Sequence, residues 1–138
     1  MADPDRDYDR THLKPLDLSG ARLRVAFDRD RKPPSSAAIS RFVVQLEYLP
    51  EGDDADDESN WLEVVRSDHG PGEGEHDVTD EGVHLDVYRS GSKIGTDQLA
   101  GPMPPTSGFD RAEEHIRESA EAYVNRYRQW LRTDRKND

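Results

Sequence analysis

The sequence lacks cysteine, and this absence excludes disulfide bonds, thiolate metal ligands and thiol nucleophiles. It also lacks any run of about 18 apolar residues, so we predict that no segment crosses a membrane. The N-terminal residues MADPDRDYDR contain no apolar core, so they do not read as a secretory signal. We therefore expect a cytoplasmic protein, and the length of 138 residues predicts one compact domain.

Lysine is scarce as well. It supplies only four of the 19 basic side chains, aspartate supplies 19 of the 30 acidic ones, and the net charge is -11. This balance resembles that of cytoplasmic proteins of extreme halophiles, where molar salt with a Debye length of about 3 Å screens the self-repulsion. We expect high potassium salt to support stability; the alternative is an acidic mesophilic protein with disordered tails. The charge also argues against tight non-specific binding to nucleic acid.

The apolar residues are few but clustered. Four segments, 21–27, 41–49, 61–68 and 83–89, alternate apolar and polar side chains as half-buried strands do. The segment 110–132 instead repeats apolar residues every three or four positions, which predicts an amphipathic helix. The pattern predicts an α+β fold in which an antiparallel sheet of about four strands carries one long C-terminal helix on one face.

The remaining segments complete the predicted layout. Residues 1–20 read as a mobile arm of mixed charge, residues 21–132 as a single α+β domain, and residues 133–138 as a polar tail. Residues 90–108 are rich in glycine and proline and read as a long loop.

One helix covers only one face of such a sheet, so the second face is a candidate binding surface. The alternation of the strands places two aromatic side chains and several polar ones there, where they could hold a partner or stack bases. The plainer interpretation is a solvated face whose side chains pair across strands. The predicted partner-binding residues are Arg22, Arg24, Gln45, Trp61, Glu63 and Tyr88. We expect an unknown protein partner or self-association.

A possible acid–base pair lies in the last predicted strand. His84 and Asp86 are two residues apart, so both point to the same side, and a carboxylate beside an imidazole can orient it and raise its pKa. Arg66 or Arg89 could then stabilise a charged transition state. The alternative is an ordinary polar pair, and neither a nucleophile elbow nor a phosphate-cradling loop is present.

Histidines near this strand raise the question of a metal. His69, His76 and His84 lie close to Asp86 in sequence and could form a zinc-type site if the loop between them folds back. Their spacing matches no established ligand motif, and exposed loop histidines are the simpler interpretation. We predict no metal site and no cofactor, with His69 and His76 as the weak metal candidates.

Three segments of the sequence resemble segments of known protein families: RFVVQLEY at 41–48, WLEVVRSDH at 61–69 and VHLDVYRSG at 83–91. They resemble a small uncharacterised domain family of haloarchaea and, more loosely, the TumE-type toxins of toxin–antitoxin modules. The resemblance implies a small α+β protein and carries over Arg66, Asp68 and His84, although a serine stands where the toxins have the tyrosine of their RYD motif.

Two hypotheses follow from the sequence. The leading one is a non-enzymatic protein-interaction module that uses the uncovered sheet face. The alternative is a toxin-like RNA-directed enzyme in which His84 and Asp86 act as acid and base.

Overall fold

The computed structural model describes residues 8–29, 38–70 and 75–136, with side chains up to residue 134. Its described strands form one antiparallel sheet in which each strand pairs with the next along the chain, in the order β1 to β6. The strands are β1 Arg10–Pro15, β2 Ala21–Arg29, β3 Ile39–Tyr48, β4 Leu62–His69, β5 Val83–Arg89 and β6 Ser92–Ala100.

A single long helix, α2, packs across one face of this sheet. It spans Pro105–Lys136, and a proline is tolerated at its start because the first backbone N–H groups of a helix have no partner within it. The buried side chains on α2 are Phe109, Ala112, Ile116, Ala120, Val124 and Tyr127. The predicted helix is therefore confirmed, and it begins earlier and ends later than 110–132.

The core lies between α2 and the central strand β3. Phe42, Val44 and Leu46 of β3 are fully buried. The ring of Phe109 from α2 meets the rings of Phe27 and Phe42 edge-on, with ring centres 5.6 Å apart in both pairs. Such edge-to-face contacts add to the free energy gained from apolar burial. The strand alternation thus positions the helix on the face that the sequence predicted to be apolar.

The α+β class is confirmed, but the sheet has six strands rather than about four. β1 lies within the predicted arm 1–20, and β6 lies within the predicted loop 90–108. Each of these strands forms an edge of the sheet, and almost every one of its side chains is exposed. Neither strand alternates apolar with polar residues, so the sequence pattern did not reveal them. Residues 1–7 of the predicted arm and 137–138 of the predicted tail lie outside the described residues.

A β-bulge in β4 decides which of its side chains face α2. Leu46 pairs with Val65 but Glu47 pairs with Glu63, so Val64 is the extra residue. Beyond the bulge, His69 turns toward α2 and stacks on Phe42, with ring centres 5.9 Å apart.

A short helix, α1 (Val78–Glu81), precedes β5. Neither described helix combines the length and apolarity that a membrane-spanning helix needs.

Candidate functional site

The sheet face opposite α2, called here the open face, brings most of the predicted site residues together. Directly paired residues on neighbouring strands share a face of the sheet. One such row crosses five strands: Arg24, Gln45, Arg66, Asp86 and Thr96. A neighbouring row contains Arg22, Glu47 and Glu63. The register therefore gathers polar side chains from the whole width of the sheet on one surface.

Glu47 is the centre of an ion-pair network on the open face. Its carboxylate accepts hydrogen bonds from Arg22 Nε at 2.8 Å and from Arg24 Nε at 2.9 Å. The side-chain amide of Gln45 donates to the same carboxylate at 2.6 Å. Glu58 accepts from both arginines at 2.9 and 2.8 Å, and the hydrogen bond from Arg22 is the main cause that lowers the pKa of Glu58. Both guanidinium groups therefore have carboxylate partners within the chain.

The acidic connector between β3 and β4, residues 49–61, covers one end of the open face. The guanidinium of Arg22 lies 3.9 Å from the ring centre of Trp61, and Trp61 Nε1 donates to the carbonyl oxygen of Ala55 at 2.9 Å. Glu58, in a 3₁₀ turn at Glu58–Asn60, reaches the same arginine. The face that the sequence predicted to be uncovered is thus partly covered, because this connector folds back over the ends of β2 and β3.

The middle of the open face contains polar groups without partners. Glu63 and Tyr88 form no hydrogen bond or ion pair with the residues the structure describes, and burial raises the pKa of each side chain. Gln45 is only 3% exposed, and its Oε1 has no hydrogen-bond partner. Arg66 lies among them and binds Asp68 through Nε at 2.9 Å. A buried acceptor without a donor is uncommon in native structures.

The predicted acid–base pair shares the open face but is not assembled. Asp86 accepts a hydrogen bond from the Thr96 hydroxyl at 2.9 Å and lies 3.8 Å from Lys93 Nζ. The His84 ring instead lies beside the ring of His76, with ring centres 4.0 Å apart and the two planes tilted by 40°. No hydrogen bond joins His84 to Asp86 in the described part of the chain, so the carboxylate does not orient the imidazole.

Arg89 lies apart from the other catalytic candidates. Its guanidinium donates to the Asp134 carboxylate near the end of α2, at 2.8 Å from Nη2 and 3.3 Å from Nε. Residues two positions apart on a strand point to the same face of the sheet. Arg89 lies two positions after Val87, so both face α2. The structure therefore separates Arg89 from Arg66, and only Arg66 belongs to the open face.

On either side of residues 71–74, the Gly70 N–H donates to the His76 carbonyl oxygen at 2.9 Å, but the described residues of this connection do not bring three histidines together. His69 faces the core, where its Nδ1 accepts from the Val78 N–H at 3.0 Å and burial lowers its pKa. His76 contacts Glu81 at 2.9 Å and the Gly82 carbonyl oxygen at 2.6 Å, beside His84. Within residues 8–29, 38–70 and 75–136, no group of three or more histidines and carboxylates could hold a metal ion.

Sequence reasoning missed part of the site. Tyr8 lies in the predicted arm, yet the guanidinium of Arg41 lies 4.2 Å from its ring centre, and burial raises the pKa of Tyr8. Glu58 lies in the acidic segment DDADDE at 53–58, whose composition predicts only a solvated loop. Strand alternation places Glu47 on the open face, whereas no local signal indicates the contacts of Glu58 or Tyr8.

A protein-family model now bears on these observations. The model, described as a domain of unknown function (DUF7718), matches residues 5–133. The chain belongs to the DUF7718 family. In this DUF7718 domain the matched range includes all six strands, the connector with Trp61 and nearly all of α2. Neither the curated proteins nor the solved structures include one that matches the chain.

Proposed function

We propose that this DUF7718 domain is a non-enzymatic interaction module that binds a protein partner on the open face. The observation that supports this proposal best is the fixed platform of Arg22, Arg24, Glu47 and Glu58, with Trp61 held beside it. A surface whose side chains are already ordered loses little conformational entropy when a partner binds. Tryptophan, tyrosine and arginine are also the side chains that contribute most to protein interfaces.

The charges on the open face favour a protein over a nucleic acid as the partner. Binding of a phosphate backbone depends on cations that are free to neutralise it. Arg22 and Arg24 are neutralised by Glu47 and Glu58, and Arg66 is bound to Asp68. The net charge of -11 adds repulsion toward any polyanion.

We further propose that the module works in the salt-rich cytoplasm of a halophile. The composition, with few lysines and many aspartates, supports this habitat. The ion pairs of the open face are compatible with it because salt screens partly buried pairs much less than exposed ones.

The proposal is tested by replacing the aromatic anchors. We compare tagged wild type with Trp61→Ala and Tyr88→Ala in a halophilic host and in molar KCl. The control is Tyr123→Ala, which removes a partly buried tyrosine of α2 on the other side of the sheet from the open face. We expect a protein that binds wild type and Tyr123→Ala and whose affinity falls at least tenfold for each of the other two variants, as loss of an interface hot spot gives.

Self-association is measured on the same samples by light scattering, and thermal melts confirm that each variant is folded. A monomeric wild type that retains no specific partner contradicts the proposal, and so does a partner that binds all four proteins equally.

A toxin-like, RNA-directed enzyme is the second candidate. It is supported by the placement of Arg66 and Asp68 of β4 on the same face as His84 of β5. Inducible wild type and the His84→Ala/Asp86→Ala double variant are compared for growth of the host at matched protein levels. Arrest by the wild type alone would favour the enzyme over the interaction module.

A further inference from the structure

We propose that a cleft at one end of the sheet binds a small organic anion through the guanidinium groups of Arg128 and Arg132. The cleft lies between the C-terminal part of α2 and the start of the connector that follows β3. It is on the α2 side of the sheet, where the ring of Tyr48 meets that of Tyr127. The inference therefore concerns a second surface and does not depend on what binds the open face.

The cleft consists of two adjoining cavities of about 340 Å³ each. The residues that line both cavities are Tyr48, Pro50, Glu51 and Arg128. Leu131 and Arg132 of α2 complete the wall of one cavity. A volume of this size suits a small molecule rather than a single ion. Because the wall combines apolar side chains with guanidinium groups, it fits a ligand that joins an apolar body to an anionic group.

A close backbone contact fixes the opposite wall of the cleft. The Leu49 N–H donates to the Gly20 carbonyl oxygen at 2.7 Å. Gly20 has a φ of +74°, and a Cβ at this position would lie 2.6 Å from the Leu49 carbonyl oxygen. Glycine alone allows this approach without strain. The wall is therefore formed before a ligand arrives, which lowers the entropy that binding would cost.

The charges of the cleft carry the first argument for an anion. Arg128 and Arg132 are one turn apart on α2, and neither forms an ion pair with the residues that the structure describes. Like charges at this spacing repel each other, and an anion between them removes the repulsion. Six other arginines of this acidic chain do bind carboxylates: Arg22, Arg24, Arg41, Arg66, Arg89 and Arg117.

Two carboxylates also line the cleft, but they do not neutralise these arginines. Glu51 and Asp53 are exposed, and within the described chain neither lies at ion-pair distance from a cation. Their negative charges oppose the binding of an anion. The removal of one of them should therefore strengthen binding, which gives the experiment a gain as well as a loss to measure.

Tyr48 supplies a second argument that does not depend on charge. Its side chain is only 5% exposed, and its hydroxyl oxygen accepts a hydrogen bond from Arg128 Nε at 3.1 Å. This bond holds the guanidinium in place and leaves its two Nη groups as donors. The hydroxyl can also donate, and no described residue accepts its proton.

The groups without partners are thus all donors, and an anionic oxygen group is the matching acceptor. Carboxylate and phosphate both present oxygen atoms that fit the planar fork of a guanidinium. The dipole of α2 also favours cations near its C-terminal end. That interaction accounts for the positive charge there, but it does not account for a hydroxyl donor and a formed cleft at the same place.

The experiment uses phenyl phosphate, benzoate and uncharged phenol as probes. Each is titrated into the full chain at the lowest KCl concentration at which a thermal melt shows it folded. NMR follows the backbone amides of Gly20 and Leu49 and the Nε–H of Arg128. We expect at least one of the two anions to give saturable shifts at these groups, and phenol to bind about tenfold more weakly or not at all. The anion that binds more tightly identifies the preferred group.

Matched variants complete the test. Arg132→Gln removes a charge from the cleft, and Arg111→Gln makes the same change at an exposed position near the start of α2. We expect a loss of affinity of about tenfold in Arg128→Gln and in Arg132→Gln, and none in Arg111→Gln. Glu51→Gln should bind the anion more tightly than wild type. Thermal melts show whether each variant is folded, and the exposed Arg132 keeps the test valid if Arg128→Gln is not.

Four results would each overturn the inference. They are the absence of a saturable shift with either anion, undiminished binding in a folded arginine variant of the cleft, phenol binding as tight as that of the anions, and an equal loss in Arg111→Gln. The last would show that the anion follows net charge rather than the cleft. None of these results bears on the comparison of Trp61→Ala with wild type, so this inference and the proposed function can fail separately.

Discussion

The two faces of the sheet are both buried along β3, but different interactions bury them. Phe42, Val44 and Leu46 point toward α2 and pack against its apolar side chains. Gln45 and Glu47 point the other way and are only 3% and 4% exposed, although α2 does not cover them. On that side the arginines and the connector with Trp61 provide the cover. Low exposure by itself therefore does not distinguish a core from a candidate binding surface.

The difference matters because the two kinds of burial have different energetics. Apolar burial stabilises by about 25 cal/mol per Å² and does not depend on direction. A buried ion pair gains Coulomb energy but loses hydration, so its net contribution is small while the loss of one partner is costly. The α2 face should therefore account for most of the stability, and the open face for a fixed arrangement of charges.

The largest effect is expected on the α2 face. Phe42→Ala removes a fully buried ring that contacts Phe109 and His69, and it leaves a cavity at the centre of the core. We expect the free energy of unfolding to fall by about 4 kcal/mol. Denaturant unfolding in molar KCl measures it, and a loss below about 1 kcal/mol would contradict this view of the core.

The next effect tests the open face. Glu47→Gln removes the charge of the buried carboxylate that Arg22 and Arg24 share, so we expect the free energy of unfolding to fall by about 3 kcal/mol. Glu63→Gln, directly opposite on β4, is the matched control and should change stability little. The loss should be the same at 1 and 3 M KCl, because dissolved ions screen a buried ion pair much less than an exposed one. A difference that disappears at high salt would show that the network is solvated.

The sequence predicts a strand or helix well when one of its sides is buried and the other is exposed. β3 and α2 could be found because one side of each is apolar, and strand alternation placed Gln45 and Asp86 on a common face. Alternation alone places Arg66 on the side of α2, and Arg66 joins the open face only because the bulge at Val64 shifts the alternation of β4. The same alternation argues against Arg89 as a residue of the open face, because Arg89 lies two positions after Val87 and both face α2. β1 and β6 carry no such signal, because strands at a sheet edge expose both faces.

The cover of the open face could not be predicted for a different reason. Glu58 reaches Arg22 across 36 positions of sequence, and Trp61 joins it from a segment whose composition indicates only a solvated loop. Contacts of this range depend on how the connector folds back over the sheet. No local periodicity encodes that path, so the platform proposed to bind a partner emerged only from the structure.

A smaller, pH-dependent effect is expected from His69 on the α2 face. Burial lowers its pKa in the folded state, so the unfolded chain binds the proton more readily as the pH falls. Its contribution to stability is therefore complete above its ordinary pKa of about 6.5 and is lost at lower pH.

We expect His69→Gln, which retains an acceptor for the Val78 N–H, to weaken the dependence of unfolding free energy on pH between 7.5 and 5.5. Carboxylates contribute equally in both proteins and cancel in the comparison. An identical pH slope for wild type and variant would mean that His69 takes up its proton without unfolding.

The smallest effect is expected where a charge pair lies at the rim of the sheet. Lys14 of β1 contacts Glu113 of α2 at 3.1 Å, but the lysine side chain is 37% exposed. We expect Lys14→Ala to lower the free energy of unfolding by less than about 1 kcal/mol, and the loss to shrink further as KCl is raised. The measurement repeats the denaturant series used for Glu47→Gln. A loss as large and as insensitive to salt as that of Glu47→Gln would show that burial does not separate these two kinds of ion pair.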